Sequence, residues 1–178
     1  MTDLPERFIS AEHLEDVMTT PSDALREDLA AVDGDILIHG VAGKMGLTRA
    51  RMAKRAAPEK RVIGVARFSA PGSEEALQAA GVETRRCDLL DRAQNAALEE
   101  CRNVLFMAGR KFGAADDQSL TWAMNAHVPA LVAERFRNSR IIAFSTACVY
   151  ALSATSGSGS REGDPLAPPG EYANSCIG

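Results

Sequence analysis

The segment ILIHGVAGKMG, Ile36 to Gly46, constrains this chain more than any other. Three apolar residues in a row suit a short strand buried on both faces. Gly40, Gly43 and Gly46 follow at three-residue steps, and then LTRARMAKRAA, a run of good helix formers. A strand that enters a helix through such a turn builds a phosphate cradle. The first glycine permits the tight turn, the second lets the backbone approach a pyrophosphate, and the third lets helix and strand pack closely. The helix N-terminus adds unpaired N–H groups and a partial positive charge. In this context the pattern predicts dinucleotide binding through Gly40, Gly43 and Gly46; a tight turn without a ligand is the alternative. Lys44, inside the turn, reads either as a phosphate contact or as a solvated lysine. His39 reads as structural, because no second metal-binding residue lies near it at ligand spacing.

The alternation then repeats. Strands are expected at Arg61 to Ala66, Val82 to Cys87, NVLFMAG and Arg140 to Phe144. Between them lie helical segments GSEEALQAAG, ended by Gly81, then DRAQNAALEEC, then SLTWAMNAHVPALVAERF, which runs through Pro129. Five strands alternating with helices give an α/β fold, a doubly wound parallel sheet of Rossmann type. Residues 1–34 form a helical extension before a dinucleotide-binding domain at 35–178. In the extension Ser10 caps AEHLEDVM, and Thr20 with Pro21 is the expected start of a second helix. That helix carries Leu25, Leu29 and Val32 on one face, and Asp33-Gly34-Asp35 is a turn. After the fifth strand, ALSATSGSGSREGDPLAPPG reads as a loop.

Composition narrows the function. The 178 residues are 46% apolar and 25% charged, with a formal charge of -4. A nucleic-acid partner is not expected, since phosphate-binding domains are usually basic. No apolar run approaches about 18 residues, so no membrane span is expected. The N-terminus lacks the basic-then-apolar pattern of an export signal. The four cysteines have no metal-ligand spacing, so no metal site is expected, and reduced thiols in a cytoplasm are the simplest account. Cys87 and Cys148 read as small buried hydrophobes.

Cofactor choice turns on the end of the second strand. An acidic residue there would take the ribose hydroxyls of NAD. The sequence has Ala66-Arg67-Phe68 instead, and Arg67 stands where a 2′-phosphate would lie, so NADP is preferred over NAD. The alternative is that Arg67 stacks on adenine or faces water. Asp88 reads as an acceptor for the adenine amino group, as the cap of the next helix, or as both.

Together these stretches resemble the extended short-chain dehydrogenase/reductase family, the NAD-dependent epimerase/dehydratases. The resemblance runs from about Ile36 to Gly178. HGVAGKMG, with Lys44 and Met45, looks like the family's glycine loop. CDLLD, with Asp88 and Leu89, looks like its adenine-binding segment. FMAG, with Ala108 and Gly109, looks like the stretch that lines the cofactor. Asn125 matches the asparagine of the following helix. FSTACVYA and DPLAPPGEYANSCIG look like the serine/threonine strand and the tyrosine helix.

The resemblance implies a tyrosine acid/base, Tyr172, and a hydroxyl that holds the substrate oxygen, Thr146, with Ser145 beside it. It implies hydride exchange with a nicotinamide and a small-molecule hydroxyl or carbonyl substrate, such as a sugar nucleotide. Family members often form homodimers. One position departs from the pattern. Four residues after Tyr172 the family has a lysine that lowers the tyrosine pKa, and this chain has Cys176. Free tyrosine titrates near about 10, so without a positive charge it is a poor base at neutral pH. Three readings stay open: Tyr172 works slowly or only as an acid; Arg110 or Lys111 substitutes; or the chain binds dinucleotide without turnover, as a sensor or partner-binding module. The chain is expected to stop before the substrate-binding region, which puts activity of these residues alone in doubt.

Overall fold

The computed structural model describes residues 4–178. Strands β1 (Ile36–His39), β2 (Val62–Ala66), β3 (Glu83–Arg86), β4 (Asn103–Phe106) and β5 (Arg140–Ala143) form one parallel sheet in the order β3-β2-β1-β4-β5. This is the doubly wound sheet that the alternation predicts. β1 is central, with Leu37 opposite Ile63 on one side and Val104 on the other. Its four residues are all buried, as parallel strands covered on both faces must be. Leu37, Val104 and Phe106 pack with Val128, Val132 and Phe136 on one face. Ile36, Ile38 and Val62 pack with Leu77, Val82 and Phe68 on the other. β5 differs: its four residues are all exposed.

The helices are α1 (Ala11–Thr19), α2 (Asp23–Ala31), α3 (Lys44–Ala56), α4 (Ser73–Ala79), α5 (Arg92–Ala97), α6 (Gln118–Trp122), α7 (Val128–Arg135) and α8 (Glu171–Ile177). Gly81, at φ +78, follows α4 in the left-handed conformation expected of its cap. The long stretch through Pro129 is helical throughout, but not uniformly. Between α6 and α7, Ala123–His127 form a π-turn in which the Val128 N–H donates to the Ala123 carbonyl. Proline has no N–H, and its ring crowds the carbonyl four residues back, so the wider turn accommodates it.

Two expected boundaries are corrected. The second helix is capped by Ser22, whose Oγ accepts from the Leu25 N–H at 3.2 Å, and not by Thr20. Thr20 closes α1 instead, donating its hydroxyl to the Asp16 carbonyl at 2.8 Å. A threonine with a carbonyl in reach one turn back prefers that bond. α5 stops at Ala97, short of Cys101, because Leu98 turns into the core and Glu99 is drawn to Arg85 and Arg61.

The two N-terminal helices rest on α3. Arg55 donates to the Asp16 carbonyl, the Asp16 carboxylate and Thr19 Oγ1. Thr48 donates to Glu15 at 3.1 Å. Leu29 packs against the core of the sheet, so the apolar stripe on α2 is a packing face. Among the described residues, no helix is long and apolar enough to cross a membrane.

Candidate functional site

The chain builds β1, β2 and β3 outward in one direction and then crosses back to place β4 on the other side of β1. Connections therefore diverge at the carboxyl ends of β1 and β4 and leave a crevice there, the point where ligands bind such sheets. The glycine turn lines this crevice. Gly40 adopts φ +75, and a Cβ there would lie 2.7 Å from the Ala108 nitrogen. A Cβ on Gly46 would lie 2.5 Å from the Val41 carbonyl oxygen. No side chain fits at either position. Gly43 is the cap of α3 and offers no side-chain acceptor. The first N–H groups of that 13-residue helix thus have no side-chain partner.

The groove has two lobes that share Gly40, Gly43, Met107, Ala108 and Gly109. The first, about 340 Å³, is walled by Val65, Arg67, Phe68, Cys87, Asp88 and Leu89. The second, about 610 Å³, is walled by Lys44, Met45, Gly46, Lys111, Asn125, Ser145, Tyr172 and Cys176. Every residue expected at the site except Thr146 lines one lobe or the other.

The first lobe is shaped by Phe68. Its φ of +51 is rare for a bulky residue. The turn sends its ring into the core and leaves Arg67 exposed at the rim. Arg86, opposite Ala66 across the β2–β3 ladder, closes over the Phe68 ring at 5.6 Å, pairs with Glu74 and donates to the Arg67 carbonyl. Arg86 was not legible as a site residue, since only the strand register brings it to Arg67. Arg86 is neutralised by Glu74, whereas Arg67 has no ion pair among the described residues. The expected cap role of Asp88 is corrected: Asp91 caps α5, accepting from the Ala93 and Gln94 N–H groups. Asp88 accepts from the Leu90 N–H at 3.1 Å in a local turn.

In the second lobe Asn125 is a tie. Its Oδ1 accepts from the Arg110 N–H at 2.7 Å, and its Nδ2 donates to the Arg110 carbonyl and to Ser175 Oγ, both at 2.9 Å. One amide thus fixes the loop after β4 to the tyrosine helix α8. Tyr172, in the first turn of α8, lines the lobe beside Cys176. Its phenol is pushed above the usual tyrosine value, first by burial and then by the neighbouring Cys176 and Cys148; the nearby Thr146 hydroxyl opposes this. Thr146 Oγ1 accepts from the Cys148 N–H at 3.2 Å. Lys111 Nζ stands 5.6 Å from the Tyr172 ring centroid.

The model of the NAD dependent epimerase/dehydratase family matches residues 36–176. No curated protein sequence matches the chain. Among solved structures, the ADP-L-glycero-D-manno-heptose-6-epimerase of Helicobacter pylori aligns with a TM-score of 0.71 and 21% identity, over 88% of this chain and 50% of its own. WbmG of Bordetella bronchiseptica, in complex with NAD and UDP, aligns with a TM-score of 0.65 and 21% identity, over 82% of this chain and 47% of its own. The UDP-glucose-4-epimerase of Stenotrophomonas maltophila, with bound NAD and formylated UDP-arabinopyranose, aligns with a TM-score of 0.67 and 17% identity, over 82% and 46%. The chain thus spans about half the length of these structures, and it belongs to the NAD dependent epimerase/dehydratase family.

Proposed function

We propose that this chain is the dinucleotide-binding part of an epimerase or oxidoreductase that acts on a hydroxyl or carbonyl carbon of a sugar nucleotide, with NADP preferred over NAD. The observation that carries this reading is the two-lobed groove, which opens on the N-terminus of α3 through a turn where no Cβ fits. That cradle suits a pyrophosphate. Gly40, Gly43 and the first turn of α3 would hold it, with Lys44 and Met45 at the mouth. Arg67, Asp88 and Leu89 would take the adenosine half. Ala108, Gly109 and Asn125 would border the nicotinamide half. When bound, the dinucleotide supplies hydride transfer. Tyr172 would move the substrate proton at its hydroxyl, and Thr146 would hold that hydroxyl in place.

The NADP preference rests on Arg67, an exposed guanidinium with no ion-pair partner among the described residues at the rim of the first lobe. The guanidinium fork suits a phosphate. A second reading, dinucleotide binding without turnover, is favoured by the raised pKa of Tyr172 and by Cys176 beside it.

Titration with each dinucleotide, followed by the fluorescence of the single tryptophan or by thermal shift, tests the reading. NADP is expected to bind more tightly than NAD, and ligand binding raises the unfolding temperature. Arg67→Asp should weaken NADP relative to NAD by about tenfold, the loss of one charge-assisted contact. No response to either dinucleotide overturns the proposal. An unchanged ratio in the Arg67 variant removes only the NADP preference.

A further inference from the structure

Resting on Tyr172 as the acid/base of the reading above, we propose that Lys111 is the positioning residue that stabilises the phenolate of Tyr172 from the loop after β4. A phenol used as a base needs a positive charge nearby. The groups that face Tyr172 supply little else. From its own helix comes the Cys176 thiol, and from the short turn at Ala147–Val149 comes Cys148; both push the phenol up. Thr146 brings a neutral hydroxyl. Glu171, the neighbour in α8, is engaged with the Trp122 indole N–H at 2.9 Å. Arg110 turns its guanidinium to the Gly113 carbonyl at 3.2 Å. Lys111 lines the same lobe, has no ion pair among the described residues, and holds its ammonium 5.6 Å from the phenol ring centroid.

The proximity is built in. Asn125 grips both backbone groups of Arg110, the residue before Lys111, and also holds Ser175 on the tyrosine helix. A cation near a ring face is attracted to the π-system. Ionisation of the phenol places a full negative charge on that same group, so the attraction grows and the phenolate form is favoured. The four-carbon stem of lysine lets the ammonium follow the charge.

The chain has two tyrosines, Tyr150 and Tyr172. In a Tyr150→Phe background Tyr172 is the only phenol, and its ionisation is read directly from phenolate ultraviolet absorbance. Lys111→Met should raise the midpoint by about one pH unit, the lower end for an opposite charge nearby. Lys111→Arg, which stays charged through the titration, should give a midpoint at or below the parent's. Added salt should move the parent toward the methionine variant. Cys176→Lys should lower the midpoint and calibrates the signal. A pH jump read within milliseconds gives the same order before alkaline unfolding intervenes. An equal midpoint in Lys111→Met and its parent overturns the proposal. The readout needs neither dinucleotide nor substrate: a chain that binds no dinucleotide fails the functional reading alone, and an unmoved midpoint in a chain that binds one fails the role of Lys111 alone.

Discussion

The two lobes of the groove meet at Gly40 and are walled by different means. On the Arg67 side the wall is backbone and closed core: Val65, Phe68, Cys87 and Leu89 are buried, and β2 behind them is covered on both faces. On the Tyr172 side the wall is an edge strand with four exposed residues, a loop with Phe112 87% exposed, and a seven-residue helix. One amide, that of Asn125, ties loop to helix. The first lobe therefore owes its shape to packing that the whole sheet enforces. The second owes its shape to a few side-chain bonds, which makes its chemistry easier to alter without unfolding the chain.

The glycine turn is where the largest effect is expected. Gly46→Ala places a methyl group 2.5 Å from the Val41 carbonyl oxygen, and backbone on both sides leaves it nowhere to move. A loss of about 3 kcal/mol is expected, the upper end for overpacking, together with loss of dinucleotide binding. Urea unfolding and the dinucleotide titration measure both. Wild-type stability and binding in this variant would show that the turn is looser than its geometry.

His39 lies under both lobes, at the end of β1. It is fully buried between Phe106 and Phe136, at 6.0 and 5.3 Å between ring centroids. Neither ring nitrogen has a hydrogen-bond partner among the described residues. Burial pushes its pKa down from 6.5 to about 4. The unfolded chain takes a proton below about 6.5 while the folded chain does not until about 4, so stability falls as pH drops through that window. At about 1.4 kcal/mol per pH unit the loss reaches about 3 kcal/mol. His39→Leu, of similar volume, should remove this slope and raise stability at neutral pH, since it deletes two unsatisfied nitrogens. Unfolding free energies across the acid range decide it.

What the sequence disclosed follows the same division. The strand–glycine–helix unit was legible because its causes are local: period, glycine chemistry and helix propensity. The doubly wound parallel sheet followed from the alternation of such strands with helices. What escaped depends on distant partners. The π-turn at Ala123–His127 answers to Pro129 within an intact helix, and Ser22 took the cap because Thr20 bonds back to Asp16. α5 was cut short by pairs that Glu99 makes with Arg61 and Arg85. Asn125 also ties Arg110 to Ser175, a structural role that no spacing could disclose.

That tie separates the lobes experimentally. Asn125→Ala leaves the Arg110 backbone and Ser175 without their partner, at a cost of about 2 kcal/mol for half-buried polar groups. Hydrogen exchange should rise in the loop after β4 and in α8, while the β1–α3 turn keeps its protection. Equal loosening of both lobes would break the contrast between them.

The smallest effect separates the cysteines. Cys87 walls the first lobe; burial, then Asp88 and Asp91, push its thiol up to about 11. Burial likewise raises Cys101, whose Sγ lies 3.1 Å from the Asp35 carbonyl. Cys148 and Cys176 are partly exposed near Tyr172. Thiolate is the reactive form, so a thiol near 11 offers only about 1 part in 10,000 at neutral pH. Iodoacetamide with peptide mapping should therefore mark Cys148 and Cys176 well before Cys87 and Cys101. Bound dinucleotide should protect Cys176 more than Cys148, because only Cys176 lines the lobe. Uniform labelling of all four would mean that the first lobe opens as readily as the second, and the rigidity assigned to its wall would then belong to the glycine turn alone.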